Sequence, residues 1–143
     1  MLNDDECIIL MQKLNIKTIA GGLSFDRSSK LGKGAFGDVY LGFDEERNVP
    51  CAFKVINLDK VKSQTNPETL MKKIKDEIVN MQLAKHPSII QFYQAKQSAN
   101  NIYILCEYCN GESLAAFLER RSYLTQWEAV EFFRVRDGRL RKF

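Results

Sequence analysis

Histidine is nearly absent from this sequence: His86 is the only one among 143 residues. A structural zinc site needs four nitrogen or sulfur ligands. The four cysteines, Cys7, Cys51, Cys106 and Cys109, supply one close pair, Cys106-x-x-Cys109, with no second pair, and His86 is followed directly by Pro87. A thioredoxin-type C-x-x-C would open a helix, whereas residues 102–108 read as a strand running into it. The cysteines are therefore read as reduced thiols of a cytosolic protein. Long apolar runs are missing too, and nothing approaches the roughly 18 residues of a membrane span. Ahead of the first short apolar run stand Asp4, Asp5 and Glu6 in place of the basic residues of a secretory signal, and Leu2 excludes N-myristoylation. A net charge of +3 is too mild to imply nucleic acid by itself. There is no internal repeat and no low-complexity segment. What is present, 45% hydrophobic and 27% charged residues, is the composition of one ordinary globular domain, with the cytosol, or the nucleus, as its expected location.

The most informative stretch is Gly32-Lys33-Gly34-Ala35-Phe36-Gly37-Asp38-Val39-Tyr40. G-x-G-x-x-G alone is a weak signal, because it serves both strand–helix and strand–strand loops. After Gly37, the residues Val39, Leu41 and Phe43 recur every second position, the period of a strand. The segment closes in a turn-like cluster, Asp44-Glu45-Glu46-Arg47-Asn48, and a second strand follows. A dinucleotide-binding motif would instead open a helix. The glycines are thus placed in a hairpin, where a missing Cβ lets backbone amides approach phosphate and tolerates positive φ.

In the next strand, Ala52, Lys54 and Ile56 share one face and Cys51, Phe53 and Val55 the other. Lys54 is a cation in the middle of an apolar strand and calls for an anion. Alternatively, it snorkels to solvent from an edge strand. A helix follows, with Asn66 as N-cap and Pro67 in the first position. Ile74, Glu77, Ile78 and Met81 fall on one stripe. Glu77 is the one carboxylate on that stripe and the natural partner of Lys54, although either residue taken alone also reads as a solvated side chain.

Gly32-x-Gly34-x-x-Gly37-x-Val39, Ala52-x-Lys54, Glu77, His86-Pro87-x-Ile89-Ile90 and Tyr103-Ile104-Leu105-Cys106-Glu107-Tyr108-Cys109, in this order and spacing, resemble the small lobe of a eukaryotic protein kinase, of serine/threonine type. The resemblance covers residues 26–133. It implies an α+β fold: a five-stranded antiparallel sheet with one major helix, followed by an incomplete helical large lobe. It also implies roles. Gly32, Lys33, Gly34, Ala35, Phe36 and Gly37 would form the lid over the ATP phosphates. Lys54 would contact the α- and β-phosphates and be held by Glu77. Leu31, Val39 and Ala52 would sandwich the adenine, with Cys106 behind it. Glu107 and Cys109 would bond the adenine through the backbone, and Ser113 would lie at the ribose, where many kinases carry an acidic residue. Met81 and Phe92 match the small-lobe part of the hydrophobic column that links the lobes, and His86 reads as a turn residue.

Beyond the hinge, 113–121 fits a short helix, and Thr125-Gln126-Trp127-Glu128 is a capping box that opens another. The family's catalytic loop, H-R-D-x-x-x-x-N, and its D-F-G are not found in these 143 residues. Arg136-Asp137 is no substitute, because Val135 stands where histidine would and Lys142 where asparagine would. The expected organisation is 1–23, an extension with a short amphipathic helix through Ile8, Ile9, Met11, Leu14 and Ile16 that packs on the lobe or, on a sharper reading, binds a partner; 24–109, small lobe and hinge; 110–133, the first large-lobe helices; and 134–143, a divergent basic tail. The basic cluster of this tail suggests a nuclear signal or a nucleic-acid patch, but an altered reading frame, an unspliced junction or a truncated gene prediction is the favoured reading of the abrupt break. Two functions follow. One is the ATP-binding part of a kinase that phosphorylates protein hydroxyls, inactive as this chain alone, with Mg2+ only in a complete kinase. The other is a free lobe that binds nucleotide or regulators. Neither membrane nor nucleic acid is an expected partner. Marginal solubility is expected, because Trp127, Val130, Phe132 and Phe133 want the cover of a larger lobe.

Overall fold

The structure is a computed structural model; it describes residues 16–19 and 22–133, without the side chains of 131–133. Strands rich in β-branched and aromatic residues build one antiparallel sheet. They are β1 (Ile16–Ile19), β2 (Leu23–Lys33), β3 (Gly37–Asp44), β4 (Val49–Asn57), β5 (Phe92–Gln97) and β6 (Asn101–Glu107), in the order β1-β2-β3-β4-β6-β5. The helices are α1 (Leu58–Lys62), α2 (Pro67–Leu83), α3 (Leu114–Arg121) and α4 (Gln126–Phe133). Among the described residues no helix is long and apolar enough to cross a membrane.

The antiparallel sheet with one long helix follows the sequence reading, but the sheet has six strands rather than five. The extra one, β1, includes Ile16, which the 3.6-residue pattern assigned to a helix. Three of its four residues are β-branched, and they pair with the open edge of β2 from Ile16↔Asp26 to Ile19↔Leu23. The remainder of that expected helix, and the tail with Arg136-Asp137, lie outside the described residues. Helix α1 was not foreseen. It is one short turn whose Asn57 Oδ1 accepts from the Lys60 N–H at 2.9 Å, with Leu58 and Val61 buried beneath it. Asn66 precedes α2 as expected but makes no side-chain cap bond, its backbone lying outside the extended geometry a capping residue adopts. The Thr125–Glu128 capping box forms in both directions: Thr125 N donates to Glu128 Oε2 and Glu128 N to Thr125 Oγ1.

Alternation along β4 sends its side chains into two cores. Cys51 and Phe53 join Leu23, Phe25, Tyr103 and Leu105 on one face, with Tyr40 and Tyr93 at the margin. The Phe25 ring lies 5.2 Å from Tyr40, 5.3 Å from Phe53 and 6.3 Å from Tyr103, centroid to centroid. Side chains of β2, β3, β4 and β6 meet around one ring only because the sheet is strongly curled. The curl brings Lys17 of β1 to the Tyr103 hydroxyl of β6 at 2.8 Å, although the two strands are not neighbours in the sheet. On the other face Ile56, Ile102 and Ile104 pack with Leu58, Val61 and Ile74. Ile74 is the one fully buried residue of α2.

The β3–β4 turn is held by Asp44, a carboxylate with no exposed surface. Arg47 donates to it from its backbone at 3.1 Å and its guanidinium at 2.7 Å, and the same guanidinium lies over the Tyr93 ring. Burial pushes the Asp44 carboxyl upward, but these Arg47 bonds outweigh it and hold the group below its ordinary value. A depressed carboxyl contributes stability above its unfolded value and loses it as pH falls through the folded one. Asp44→Ala is expected to cost about 1–3 kcal/mol at neutral pH. Its melting-temperature deficit against the parent should shrink as pH is lowered through 4 and below. A deficit that stays constant over that range would contradict the account.

Candidate functional site

The site residues reach one surface through strand register. Gly32 pairs with Val39, Val39 with Lys54, and Lys54 with Ile104. In the adjoining row Leu41 pairs with Ala52, Ala52 with Cys106, and Cys106 with Phe92. Directly paired residues share a face, so Gly32, Val39, Ala52, Lys54 and Cys106 lie on one surface, on the α2 side. Val39, Ala52 and Cys106 are half-buried, and Leu31 is exposed at its rim.

Across this surface Lys54 Nζ meets Glu77 Oε1 at 2.6 Å. Both side chains keep solvent contact, 38% for Lys54 and 47% for Glu77. Because β4 lies inside the sheet and the ion pair forms, the edge-strand snorkelling alternative for Lys54 gives way to the paired one. The stripe on α2 explains the geometry: Ile74 is buried, and Ile78 and Met81 pack on the same cluster. That seats Glu77 one turn from Ile74 on the sheet-facing side. Cys106 feels the same pair. Burial pushes its thiol up to about 11, with the Lys54 ammonium pulling down and Glu77 pushing up. Cys51, in the opposite core, is pushed by burial to about 12. Both stay protonated at neutral pH.

The glycines divide the work differently from the expectation. None of Gly32, Gly34 and Gly37 has a positive φ; only Gly22 does among the described glycines. A Cβ on Gly37 would fall 1.6 Å from the Val55 carbonyl oxygen, so this glycine lets β3 close on β4. Gly34 donates to the Gly37 carbonyl at 2.7 Å and closes the turn. A Cβ on Gly32 would meet nothing within 4 Å, which leaves open space above the Val39–Lys54 row. Lys33 and Ala35 are exposed. Phe36 packs against the α2-side core, and its carbonyl accepts from the Asn57 N–H at 3.0 Å.

At the hinge, Glu107 and Gln91 exchange two bonds: Glu107 N donates to the Gln91 carbonyl at 2.8 Å, and Gln91 N to Glu107 Oε2 at 3.3 Å. Cys109 is half-buried beyond it. Ser113 caps α3, its Oγ accepting from Ala116 N at 3.1 Å, a role that any Ser before a helix signals and that the sequence reading passed over. His86 turns the chain as expected, its Nδ1 accepting from Ser88 N at 3.0 Å. The sequence reading also missed Lys30 and Asp38, which pair at 2.8 Å across β2 and β3 and brace the glycine hairpin.

A sheet whose glycine hairpin, mid-strand lysine and helix-borne glutamate converge on one face defines the small lobe of a kinase. The protein kinase domain model matches residues 25–135, and the chain belongs to that family. Its relatives are serine/threonine kinases. CBL-interacting protein kinase 33 of Oryza sativa subsp. japonica is 30% identical over 123 residues, 86% of this chain and 26% of the relative. CBL-interacting serine/threonine-protein kinase 2 of Arabidopsis thaliana is 38% identical over 84 residues, 59% of this chain and 18% of the relative. Serine/threonine-protein kinase PLK2 of Mus musculus is 35% identical over 113 residues, 79% of this chain and 16% of the relative. The chain thus spans about a quarter or less of the length of these relatives.

The two glycines at either end of the hairpin separate fold from site. Gly37→Ala is expected to destabilise by about 1–3 kcal/mol or more, because β3 must move off β4. Gly32→Ala should stay within about 0.5 kcal/mol of the parent. Denaturant unfolding of the two variants in dilute solution checks this, and equal effects would refute the division.

Proposed function

We propose that this chain is the nucleotide-binding half of a serine/threonine protein kinase domain, holding ATP for transfer of its γ-phosphate to a protein hydroxyl. The observation that carries the reading is the 2.6 Å contact between Lys54 and Glu77 on the face that also bears Gly32, Val39, Ala52 and Cys106. An ammonium has three donors. Glu77 engages one and fixes the direction of the others, which serve the α- and β-phosphate oxygens in this reading. The open space at Gly32 fits a phosphate chain lying under the hairpin. Leu31, Val39 and Ala52 are assigned to the adenine, with Cys106 limiting its depth. The Glu107 carbonyl and Cys109 amide are assigned to its polar edge, while Ser113, engaged in its cap, is left with at most a shared role at the ribose.

Phosphoryl transfer in this family depends on magnesium to spread the developing charge. Among the described residues no three His, Cys, Asp or Glu side chains gather to hold a cation. What this chain's residues do is bind and orient: Lys54 neutralises phosphate charge, Glu77 keeps Lys54 in place, and the apolar walls exclude water from the adenine.

Titration of the 143-residue chain with a fluorescent ATP analogue tests the binding. Lys54→Met is expected to weaken it by about a hundredfold or more, the loss of its charge-assisted hydrogen bonds to the two phosphates. Equal binding by parent and Lys54→Met would overturn the site. The chain alone, given ATP, magnesium and a generic protein substrate, is expected to transfer no phosphate. Transfer that disappears in Lys54→Met would show the 143 residues to be an enzyme in themselves.

A further inference from the structure

Strand β2 is fastened to β3 in two unequal stretches. Leu23, Ser24 and Phe25 pair with Asp44, Phe43 and Gly42, and the next pair is Lys30↔Tyr40. From Phe25 to Lys30 the chain advances five positions (25 to 30) while β3 advances two (42 to 40), so Asp26, Arg27, Ser28 and Ser29 bulge away from β3. The bulge closes on itself. The Asp26 carboxylate accepts from the Ser28 amide at 2.8 Å and from the Ser28 and Ser29 hydroxyls, each at 2.6 Å. A second shift falls between Lys30 and Gly32. Strand β3, by contrast, pairs with β4 without a break from Gly37↔Ile56 to Asp44↔Val49. The glycine hairpin therefore has one arm built into the sheet and one arm, Lys30-Leu31-Gly32-Lys33, hung from it beyond an interrupted ladder.

Where the backbone ladder is broken, side chains must fix the arm. Lys30 Nζ meets Asp38 Oδ1 at 2.8 Å, a diagonal tie, since the direct partner of Asp38 is Lys33. The Tyr40 hydroxyl points to the other oxygen of Asp38 at 3.4 Å. Lys30 pairs with Tyr40 and Tyr40 with Phe53 of the aromatic core, so the tie lies on the face of the sheet turned away from Lys54. The bond from Lys30 holds the Asp38 carboxyl below its ordinary value. We propose that the Lys30–Asp38 pair ties the outer arm of the hairpin to β3, and so sets how tightly the hairpin closes on the phosphates of a bound nucleotide. Both are positioning residues. Neither shares the face that bears Val39 and Lys54, and both act through Leu31 and Gly32, which the arm carries. The tie stands on strand register and side-chain geometry; its effect on nucleotide rests on the proposed ATP site. Side-chain exposure of 41% for Lys30 and 28% for Asp38 limits the effect to a small factor.

The test is a double-mutant cycle in the 143-residue chain with two readouts. One is amide hydrogen exchange of residues 31–34 without nucleotide; the other is the release rate of a fluorescent ATP analogue. Lys30→Met and Asp38→Asn are each expected to speed exchange at 31–34 by about two- to fivefold, leaving the amides of β4 unchanged. The double variant should be no faster than either single one, because both remove the same interaction. Lys30→Arg, which keeps the charge, should keep the parent rate. Analogue release should quicken by about the same factor in Lys30→Met, Asp38→Asn and the double variant, and not in Lys30→Arg. A general loss of stability would instead speed the β4 amides as well. Unchanged exchange in the single variants, additive effects in the double one, or faster exchange in Lys30→Arg overturns the tie. Faster exchange with unchanged release overturns the positioning role, where Lys54→Met still weakens analogue binding. Equal binding by parent and Lys54→Met sinks the ATP site and the positioning role together, and exchange alone then decides the tie.

Discussion

A cation in the middle of β4 is the constraint around which this lobe is organised. Lys54 has Val39 opposite it on one side and Ile104 on the other, so the sheet offers it no anion. The carboxylate that answers it comes from a different element, 23 residues further along the chain. Helix α2 must therefore lie across the α2-facing side of the sheet, in a rotation that turns Ile74 inward and Glu77 toward the strand. With both partners more than a third exposed, a pair of this kind contributes about 0–1 kcal/mol to stability. It is too weak to hold the helix. Its value is directional: it fixes where an ammonium stands and which way its remaining donors face.

Holding the fold together falls to the opposite side of the sheet. Phe25, Phe53, Tyr103 and Leu105 are almost wholly buried there, gathered by the curl of the sheet. Gly37 allows β3 to approach β4 closely enough for that curl. Gly42 makes room for the core itself, since a Cβ there would meet the Phe53 ring at 2.3 Å. The aromatic core and the face that bears Lys54 are the two sides of one curled sheet, and a substitution that flattens the sheet disturbs both.

Much of this was legible because the signals were periodic and local. Alternation along β3 and β4 gave the hairpin and the two faces. The stripe Ile74, Glu77, Ile78 and Met81 gave the helix and the partner of Lys54. Reciprocal capping at Thr125 and Glu128 needed only four residues. The parts that escaped were those decided by distant neighbours. Four residues at 16–19 suit period 2 or 3.6 equally, and only the unpaired edge of β2 selects the strand. Helix α1 is too short for any period. The reason for Gly37 lies in the backbone of Val55, 18 positions away, and no inspection of the glycine motif reveals it. Ser113 carries a local role that position alone did not suggest: its hydroxyl accepts from Ala116 N at the start of α3 and keeps its own O–H to donate.

The distribution of anchoring then bears on how the site works. The strands are fastened by a full aromatic core, while α2 has Ile74 and a margin of half-buried Leu70, Met71, Ile78 and Met81. Regions with few buried apolar contacts open at lower free energy than the core around them. The residue that orients Lys54 is therefore carried by a less firmly held element than the one that carries Lys54 itself. A weak ion pair cannot correct a helix that drifts, so the geometry of the ammonium depends on whatever else packs against α2. That makes the exposed face of the helix, with its lysines, as relevant to the site as the inner face that touches it.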